Sequence, residues 1–272
     1  MKHLTIQNIP IPALGLGTYG ARGATAREIV RQALQEGYRH IDTAQFYANE
    51  EAVGQGIKKS GIAREEIFLV TKVWPSNLSP KRFLPSVEES LQKLQINYID
   101  LLLIHWPHAT LPLESYLGEL AKAKQQGKAR FIGVSNFNIS QLERTLEMGL
   151  PIITNQVEFH PLLDQSGLYE WMLEHGLSLT AYSPLAQGKA AGHSVLRSIG
   201  EKYGKSAAQV TLRWMLQLEQ VIAIPKTSSP KRLKENLDVF DFELSAEDMA
   251  RINELGHRGG RQVSNFHGAK WD

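Results

Sequence analysis

The sequence predicts an α/β protein of the (β/α)8 or TIM-barrel class, with residues 1–272 in a single barrel domain. Three observations support this prediction. Short apolar runs alternate with amphipathic segments from residue 13 onward, eight such runs can be counted, and no change of composition divides the chain. Barrels of this class commonly span about 250 residues as one domain, which agrees with the length of the chain.

The predicted strands are rich in apolar and β-branched residues, and polar residues or turn signals follow them. In chain order they read ALGLGTY, YRHIDTA, IFLVTKV, IDLLLIHW, ARFIGVSN, IITNQVEF, LSLTAYSP and VIAIPKT. Apolar residues recur at helical spacing in the segments between them, such as AREIVRQALQEG, PSVEESLQKLQ, LGELAKAKQQG and SAAQVTLRWMLQL. The segments ATAREIV and SNLSPKR carry residues that favour the N-cap position near two of the predicted helix starts.

Two terminal segments fall outside this repeat. The first residues, LTIQNIPIPAL, predict a β-hairpin that turns at Gln7 and Asn8, and we expect it to cover the floor of the barrel. The last residues, RGGRQVSNFHGAKWD, contain three glycines and little periodicity. We expect this tail to form a loop that crosses the mouth of the barrel.

Composition argues against several classes of function. The net charge of +2 is too small to indicate a nucleic-acid partner. No run approaches the roughly 20 apolar residues of a membrane helix, and the N-terminus lacks the apolar run of a signal peptide, so we expect a cytoplasmic protein with no membrane partner. The chain has no cysteine, which excludes disulfides, thiolate nucleophiles and Cys-type zinc sites.

Four ionisable residues lie at the ends of three consecutive predicted strands: Asp42, Tyr47, Lys72 and His105. The carboxyl ends of barrel strands meet at one face, where enzymes of this class carry out their chemistry. We therefore predict a proton-transfer group in which Tyr47 is the acid and Lys72 lowers the tyrosine pKa from about 10. Asp42 would keep Lys72 charged, and His105 would orient a carbonyl oxygen beside the phenol.

Rival chemistries compete for the same residues. Lys72 could form a Schiff base as in barrel aldolases, although a neighbouring Asp42 favours the protonated, non-nucleophilic amine. Metal hydrolysis needs clustered ligands, whereas His105 and His108 are the only close histidine pair, so we expect no metal site. The chain has no Gly-x-Ser-x-Gly motif, and Asp42 and Glu158 are the only acids at strand ends that could serve glycoside hydrolysis.

Several segments together resemble the signatures of the aldo-keto reductase family. GYRHIDTAQFYANEEAVGQGI contains Asp42 and Tyr47, LVTKVW contains Lys72, LLLIHWP contains His105, and IPKTSSPKRLKENLDVFDF resembles the family's cofactor-phosphate segment. The likeness covers nearly the whole chain and is greatest to the bacterial 2,5-diketo-D-gluconate reductase (methylglyoxal reductase) type. It implies NADPH-dependent reduction of small aldehydes and ketones, such as methylglyoxal or keto sugars of the 2,5-diketogluconate type, with the proton coming from Tyr47.

The resemblance also implies a cofactor site along the strand ends. Ser135, Asn136 and Gln156 would hold the nicotinamide carboxamide, Tyr182 would stack on the ring, and the loop 183–188 would cross the pyrophosphate. The full predicted set is Gly17, Thr18, Asp42, Ser135, Asn136, Gln156, Tyr182, Ser183, Pro184, Leu185, Gln187, Gly188, Lys226, Thr227, Ser228, Arg232, Glu235 and Asn236. No Gly-x-Gly-x-x-Gly segment follows the first strand, so a Rossmann site is not expected.

The segment KTSSPKRLK, residues 226–234, gathers four cations without an acid. Taken alone, such a run is typical of a solvated helix start. At the end of the eighth strand it suits a phosphate, because backbone donors, Lys226 and the Arg232 guanidinium would converge there. The resemblance implies that this phosphate is the 2′-phosphate of NADPH, with Glu235 and Asn236 close to the adenine, so NADPH is expected over NADH.

The substrate pocket implied by the resemblance would contain Tyr19, Tyr47, Trp74, His105 and Trp106. The tail is short beside those of the steroid-reducing branches, which predicts small polar carbonyl substrates in an open pocket. We expect a monomer. An alternative from another class is a cofactor-sensing binding protein with little turnover, like the family's ion-channel accessory subunits, although the extra segments of those proteins are not seen here.

Overall fold

The computed structural model of the protein describes residues 2–263 and residue 271. Two short antiparallel strands, β1 (His3–Ile6) and β2 (Ile9–Pro12), precede a sheet of parallel strands. That sheet contains, side by side in chain order, β3 (Leu16–Gly17), β4 (His40–Asp42), β5 (Phe68–Val73), β6 (Ile99–Ile104), β7 (Ala129–Ser135), β8 (Ile152–Glu158), β9 (Ser178–Tyr182) and β10 (Val221–Ala223). Each of the eight runs predicted as strands contains one of these, so the strand prediction is confirmed.

Helices follow the barrel strands and cover their outer side. Within the described residues they are α1 (Gly23–Gln35), α2 (Glu50–Ser60), α3 (Phe83–Leu94), α4 (Leu113–Gln125), α5 (Ile139–Glu147), α6 (Ser166–Glu174), α7 (Lys189–Gly192), α8 (Ser194–Tyr203), α9 (Ala207–Gln217), α10 (Pro230–Leu237) and α11 (Ala246–Asn253). Their apolar faces and the outward residues of the strands form the larger hydrophobic cluster. This alternation is the one that the periodicity predicts.

The barrel closes where its first strand meets its last. Leu14 bridges Ala223 and Gly17 bridges Lys226 in parallel, and the Gly17 amide donates to the carbonyl of Pro225 at 3.1 Å. A β-carbon on Gly17 would lie only 2.8 Å from the carbonyl oxygen of Ile224. Glycine is therefore required for the two strands to approach this closely, and the predicted (β/α)8 barrel is confirmed.

The N-terminal hairpin lies at the floor of the barrel, as predicted. Its turn is at Gln7 and Asn8, which both have positive φ (48° and 67°), as a two-residue hairpin turn requires. Ile6 and Ile11 are buried in the cluster of side chains that fills the barrel interior. The Gln7 side chain donates to the carbonyl of Ile152, the first residue of β8, which ties the turn to the amino ends of the strands.

The predicted N-caps are wrong. Helix α1 begins at Gly23, before Thr25, and α3 begins at Phe83; neither has a side-chain cap, because their N-cap residues are Arg22 and Arg82. Side-chain caps occur instead at helices α5, α9 and α11, where Asn138, Ser206 and Ser245 accept from the backbone. The capping residue types are present in the predicted segments but do not occupy the N-cap positions of these helices.

The tail prediction is met for the part of the tail that the structure describes. A short 3₁₀ turn at Arg258–Gly260 leads to Gln262 and Val263, which line the cavity at the barrel mouth. Residues 264–270 and 272 of the predicted loop lie outside the described residues.

Candidate active site

The alternation of side chains along the strands brings the predicted groups into the barrel mouth. In β5, Phe68 and Val70 belong to the interior cluster, and Lys72 follows two positions later on the same face. In β6, Leu103 occupies the interior and His105 follows it just beyond the strand end. The strands therefore change from apolar filling to ionisable side chains at the carboxyl end of the barrel.

Lys72 is completely buried and lies at the centre of a hydrogen-bond network that reaches the cavity at the half-buried Tyr47. Its ammonium donates to Asp42 Oδ1 at 2.6 Å, to the carbonyl of Thr43 at 2.9 Å and to Tyr47 Oη at 3.3 Å. The other carboxylate oxygen of Asp42 accepts from Gln156 Nε2 at 2.8 Å. Three ammonium protons thus meet three acceptors. The structure brings Asp42, Tyr47 and Lys72 together as the sequence predicts.

This burial argues against the Schiff-base alternative. Lys72 is completely buried and does not line the cavity, so an entering carbonyl would meet Tyr47 rather than the amine. Burial lowers the pKa of Lys72, while the Asp42 carboxylate beside it raises the pKa and favours the ammonium form. The ion pair therefore suits an electrostatic role for Lys72 better than a nucleophilic one.

The pKa of Tyr47 is higher than the sequence predicts. Burial, followed by the Asp42 carboxylate, raises it well above its usual value near 10. The expected lowering of the Tyr47 pKa is therefore wrong, because burial disfavours the phenolate and the Asp42 carboxylate repels it. At neutral pH the hydroxyl of Tyr47 is therefore protonated and can act as a proton donor.

His105 stands against the Tyr47 ring, with ring centroids 5.6 Å apart. Burial and then the charge of Lys72 hold the pKa of His105 well below its usual 6.5, so the imidazole is neutral at pH 7. Its Nδ1 is buried and has no hydrogen-bond partner among the described residues. A neutral imidazole at the cavity wall can donate one hydrogen bond without bringing in a charge.

A polar cluster joins the ends of strands β7, β8 and β9. Ser135 Oγ donates to the carbonyl of Gln156 at 2.7 Å, and Asn136 Nδ2 donates to Ser135 Oγ and to the carbonyl of His105, both at 3.0 Å. Asn136 Oδ1 accepts from the hydroxyl of Tyr182 at 2.9 Å. The side chains predicted to hold an amide ligand are therefore adjacent, and hydrogen bonds within the cluster fix their orientations.

These groups open onto one cavity of about 790 Å³ at the barrel mouth. Most of the predicted site residues line it, namely Gly17, Tyr19, Asp42, Tyr47, Trp74, His105, Trp106, Asn136, Gln156, Tyr182, Ser183, Pro184, Leu185, Gln187, Gly188, Lys226, Thr227, Ser228 and Arg232. The cavity continues from the Tyr47 end to the start of α10. An elongated ligand that reaches both ends fits this shape.

Five predicted residues do not line the cavity: Thr18, Lys72, Ser135, Glu235 and Asn236. Thr18, Lys72 and Ser135 are buried behind the lining, where Thr18 Oγ1 donates to the carbonyl of Asp42 at 2.9 Å. Glu235 accepts from Ser206 Oγ at 2.7 Å, and Asn236 is buried. The predicted adenine contacts of Glu235 and Asn236 stay predictions, and their described contacts are with the protein.

Sequence reasoning missed several lining residues: Gly20, Phe46, Ile224, Pro225, Ser229, Gln262 and Val263. Phe46 stacks on Trp74 with ring centroids 4.0 Å apart and 43% of its surface exposed, so it forms part of the rim. Its position beside Tyr47 was a signal that could have found it. Gln262 and Val263 carried no such signal, because nothing in their local sequence indicates where the tail lies.

The start of α10 presents cations that the protein itself does not neutralise. Lys226, Ser228 and Arg232 are exposed at the cavity, and neither Lys226 nor Arg232 forms an ion pair or side-chain hydrogen bond within residues 2–263 and 271. Thr227 is buried, and its Oγ1 accepts from the Ser229 amide at 3.0 Å, which holds the turn into the helix. Two unpaired cations beside a helix start fit a phosphate group.

Within residues 2–263 and 271, no group of three or more His, Asp or Glu side chains is placed to hold a metal ion. No helix in this part of the chain is long and apolar enough to cross a membrane.

The comparisons with known proteins agree with this geometry. A sequence model of the aldo/keto reductase family matches residues 13–257. The chain belongs to the aldo/keto reductase family. Glyoxal reductase of Bacillus subtilis is 46% identical over 249 residues, which cover 91% of this chain and 90% of that protein.

Other relatives support the same assignment. Methylglyoxal reductase DkgB of Yersinia pestis is 42% identical over 267 residues and covers 96% of this chain and 99% of its own length. A crystal structure of a protein provisionally named 2,5-diketo-D-gluconic acid reductase B superposes with a TM-score of 0.97 at 45% identity, covering 100% of this chain and 98% of that one. These likenesses support the aldo/keto reductase fold of the described barrel.

Proposed function

We propose that this aldo/keto reductase reduces small aldehydes and ketones to alcohols with NADPH. The observation that carries the proposal is the 3.3 Å contact between Lys72 Nζ and Tyr47 Oη, at the base of a cavity that His105 also lines. Phenol, ammonium and neutral imidazole together can protonate a carbonyl oxygen while a hydride reaches its carbon. No metal is needed for this chemistry.

Each residue of the group has a distinct role in the proposed step. When bound, NADPH would supply the hydride. Tyr47 gives its proton to the oxygen, and the phenolate that remains is stabilised by the Lys72 ammonium 3.3 Å away. Asp42 keeps that ammonium charged through the 2.6 Å ion pair, and neutral His105 donates a hydrogen bond to the same oxygen. The raised Tyr47 pKa keeps the proton in place until the oxygen becomes basic.

The cofactor would lie along the cavity from the polar cluster to α10. Asn136 and Gln156 offer amide groups where a carboxamide can bind, Ser135 supports them from behind, and the Tyr182 ring forms the adjacent wall. The loop 183–188 would cover the pyrophosphate. It has the left-handed conformations that bring backbone close to a ligand, at Ser183, Ala186, Gln187 and Gly188.

The preference for NADPH would come from the start of α10. NADPH differs from NADH by a 2′-phosphate, and Lys226 and Arg232 lack any protein counterion within the described residues. Thr227 and Ser228 add hydroxyl and backbone donors at the same place. An anion at this point would gain charge-assisted hydrogen bonds from cations that no acidic side chain of residues 2–263 neutralises.

Small carbonyl compounds fit the substrate end of the cavity. Tyr19, Phe46, Trp74 and Trp106 line the same cavity as Tyr47 and give it aromatic surface, and Tyr19 is exposed to solvent. Relatives are named for glyoxal, methylglyoxal and 2,5-diketo-D-gluconic acid reduction. We infer a substrate of this class, a 2-oxoaldehyde or a keto sugar acid. We also infer that the chain forms one barrel domain and acts as a cytoplasmic monomer.

One experiment tests the proposal directly. NADPH consumption at 340 nm is measured with methylglyoxal, 2,5-diketogluconate, erythrose and an aromatic aldehyde, and repeated with NADH. The proposal predicts multiple turnovers with at least one of these substrates and a higher kcat/KM for NADPH. Binding of NADPH with at most a single burst of oxidation would instead favour a cofactor-sensing binding protein.

A further inference from the structure

Glu158 is a completely buried carboxylate at the carboxyl end of β8, and the proposed reaction does not use it. A buried charge is stable only when hydrogen bonds or ion pairs replace the lost water. One donor is His160, whose Nε2 lies 3.0 Å from Glu158 Oε1. The other donors come from a distant part of the chain.

Those donors are backbone amides of the C-terminal tail. The Gln262 amide donates to Glu158 Oε1 at 2.6 Å, and the Val263 amide donates to Oε2 at 3.0 Å. The Arg261 guanidinium lies 3.9 Å from Glu158 Oε2, the oxygen that also accepts from the Val263 amide. Three consecutive tail residues thus converge on one carboxylate that is about a hundred positions earlier in the chain.

The contact matters for the cavity because the tail forms part of its wall. Gln262 and Val263 line the cavity that Tyr47 and Trp106 also line. Arg261 lies over the ring of Trp271 at 3.7 Å, and Trp271 contacts Trp106 edge to face with centroids 5.7 Å apart. Displacement of the tail from Glu158 would therefore remove Gln262 and Val263 from the cavity wall. It would also loosen the contact of Trp271 with Trp106, a third wall residue.

We propose that Glu158 is a positioning residue that anchors the tail at 261–263 and so sets the shape of the substrate end of the cavity. Both carboxylate oxygens are needed, because each accepts one tail amide. A glutamine at position 158 keeps one acceptor oxygen for one tail amide. Its NH₂ group would stand where the second oxygen was, so that one donor would face another donor and the second hydrogen bond would be lost. The anchor should thus control how tightly the carbonyl substrate binds more than how fast Tyr47 transfers its proton.

The test compares Glu158→Gln with the parent protein in two measurements. The first is the rate of trypsin cleavage after Arg261, which mass spectrometry detects as the loss of residues 262–272. This bond is chosen because its amide, that of Gln262, is hydrogen-bonded to Glu158. Loss of a hydrogen bond to a charged group should speed this cleavage by about 10-fold or more. The second is steady-state kinetics, where KM for the carbonyl substrate should rise about 10-fold while kcat and NADPH affinity change far less.

A matched control separates the anchor from a general effect of losing a buried carboxylate. Glu119 is also buried, pairs with Lys122 on α4 and does not line the cavity. Glu119→Gln should leave both the cleavage rate and KM at parent values. If Glu158→Gln behaves like Glu119→Gln in both measurements, Glu158 does not position the tail.

A second pair of variants changes the tail side of the contact with Glu158 and leaves the barrel core intact. Val263→Pro removes the amide that donates to Glu158 Oε2, whereas Val263→Ala keeps it. Only the proline variant should expose Arg261 to trypsin, and equal cleavage of the two would overturn the proposal. The kinetic part rests on the proposed carbonyl reduction. If the parent shows no turnover, that function fails, while the cleavage rates still decide the anchor.

Discussion

The two ends of the cavity differ in whether their charged side chains are paired within the protein. At the ends of β4 and β5, Asp42 and Lys72 neutralise each other within a buried network, and Tyr47 contacts the same ammonium. At the start of α10, Lys226 and Arg232 are exposed and have no counterion among the described residues. The first region pairs its charges within the protein, and we propose that the second pairs its cations with an anionic group of the cofactor.

The difference separates preorganised chemistry from ligand recognition. A buried ion pair broken by removing one partner costs about 3–5 kcal/mol, because a bare charge remains in the interior. An exposed cation costs the protein little when it is removed, and its contribution appears only in the complex. Variants at the Tyr47 end should thus change stability or turnover, and variants at the α10 end should change affinity.

The largest effect is expected for Tyr47→Phe. The change removes one hydroxyl and leaves the ring that packs against Tyr19 and His105. General acid catalysis is typically worth about 10² to 10⁴-fold, so kcat should fall by that factor. NADPH affinity by fluorescence titration and the melting temperature should stay near parent values. Turnover within tenfold of the parent would show that Tyr47 is not the acid.

Lys72→Met should lower stability as well as turnover. Among the residues that the structure describes, it leaves the buried Asp42 carboxylate with the hydrogen bond from Gln156 alone, and the expected cost is about 3–5 kcal/mol in the free energy of unfolding. Chemical denaturation measures this change. The double variant Asp42→Asn/Lys72→Met should recover much of the stability and none of the turnover, because the charge is gone but the ammonium is still missing.

The same lysine allows a check on the rival chemistry. Borohydride added to the intact protein with substrate should trap no covalent adduct on Lys72, since the amine is buried and paired with Asp42. An adduct at Lys72, identified by mass spectrometry, would establish Schiff-base formation and contradict the role proposed here.

Arg232→Ala should weaken NADPH binding and leave NADH binding almost unchanged. A lost charge-assisted hydrogen bond is worth about 1.5–3 kcal/mol, or roughly 10 to 150-fold in affinity. The loss should shrink in high salt, since exposed charges are screened over about 10 Å at 0.1 M. Lys231→Ala is the matched control, because Lys231 is exposed on the same helix but does not line the cavity. Equal losses for the two cofactors would assign Arg232 to another part of the ligand.

The smallest effect is expected for the titration of His105. Its pKa is lowered, so the imidazole stays neutral as the pH rises through the range where an ordinary histidine loses its proton. The kcat for reduction should therefore show no step between about pH 5.5 and 7.5. The pH profile of His105→Gln serves as the reference. A step near the usual histidine pKa that is absent from this variant would show that His105 titrates normally.

The sequence alone was sufficient for features that depend on local patterns. Runs such as IFLVTKV and IDLLLIHW are strands because apolar residues fill both faces, and Lys72 and His105 fall where the pattern changes. Gln7 and Asn8 sit at a hairpin turn because the flanking alternation leaves two residues between the strands. Family signatures carried the rest of the candidate site, from Asp42 to Arg232.

Other features depend on which distant segments meet, and local patterns do not contain that information. The pKa of Tyr47 is raised because the folded chain buries its hydroxyl beside Asp42, whereas the sequence suggested only the effect of Lys72. Phe46 becomes part of the rim by stacking on Trp74.

The tail illustrates the same limit most clearly. The sequence indicated a loop at the mouth, and only the tertiary structure decided that Glu158 receives the amides of Gln262 and Val263. The chain by itself determined the strands, the barrel and the ionisable groups at the strand ends, because these follow from periodicity and from signatures along the sequence. The protonation preferences and the anchoring of the tail were decided by folding, because burial and long-range contacts set the free energy of each charge.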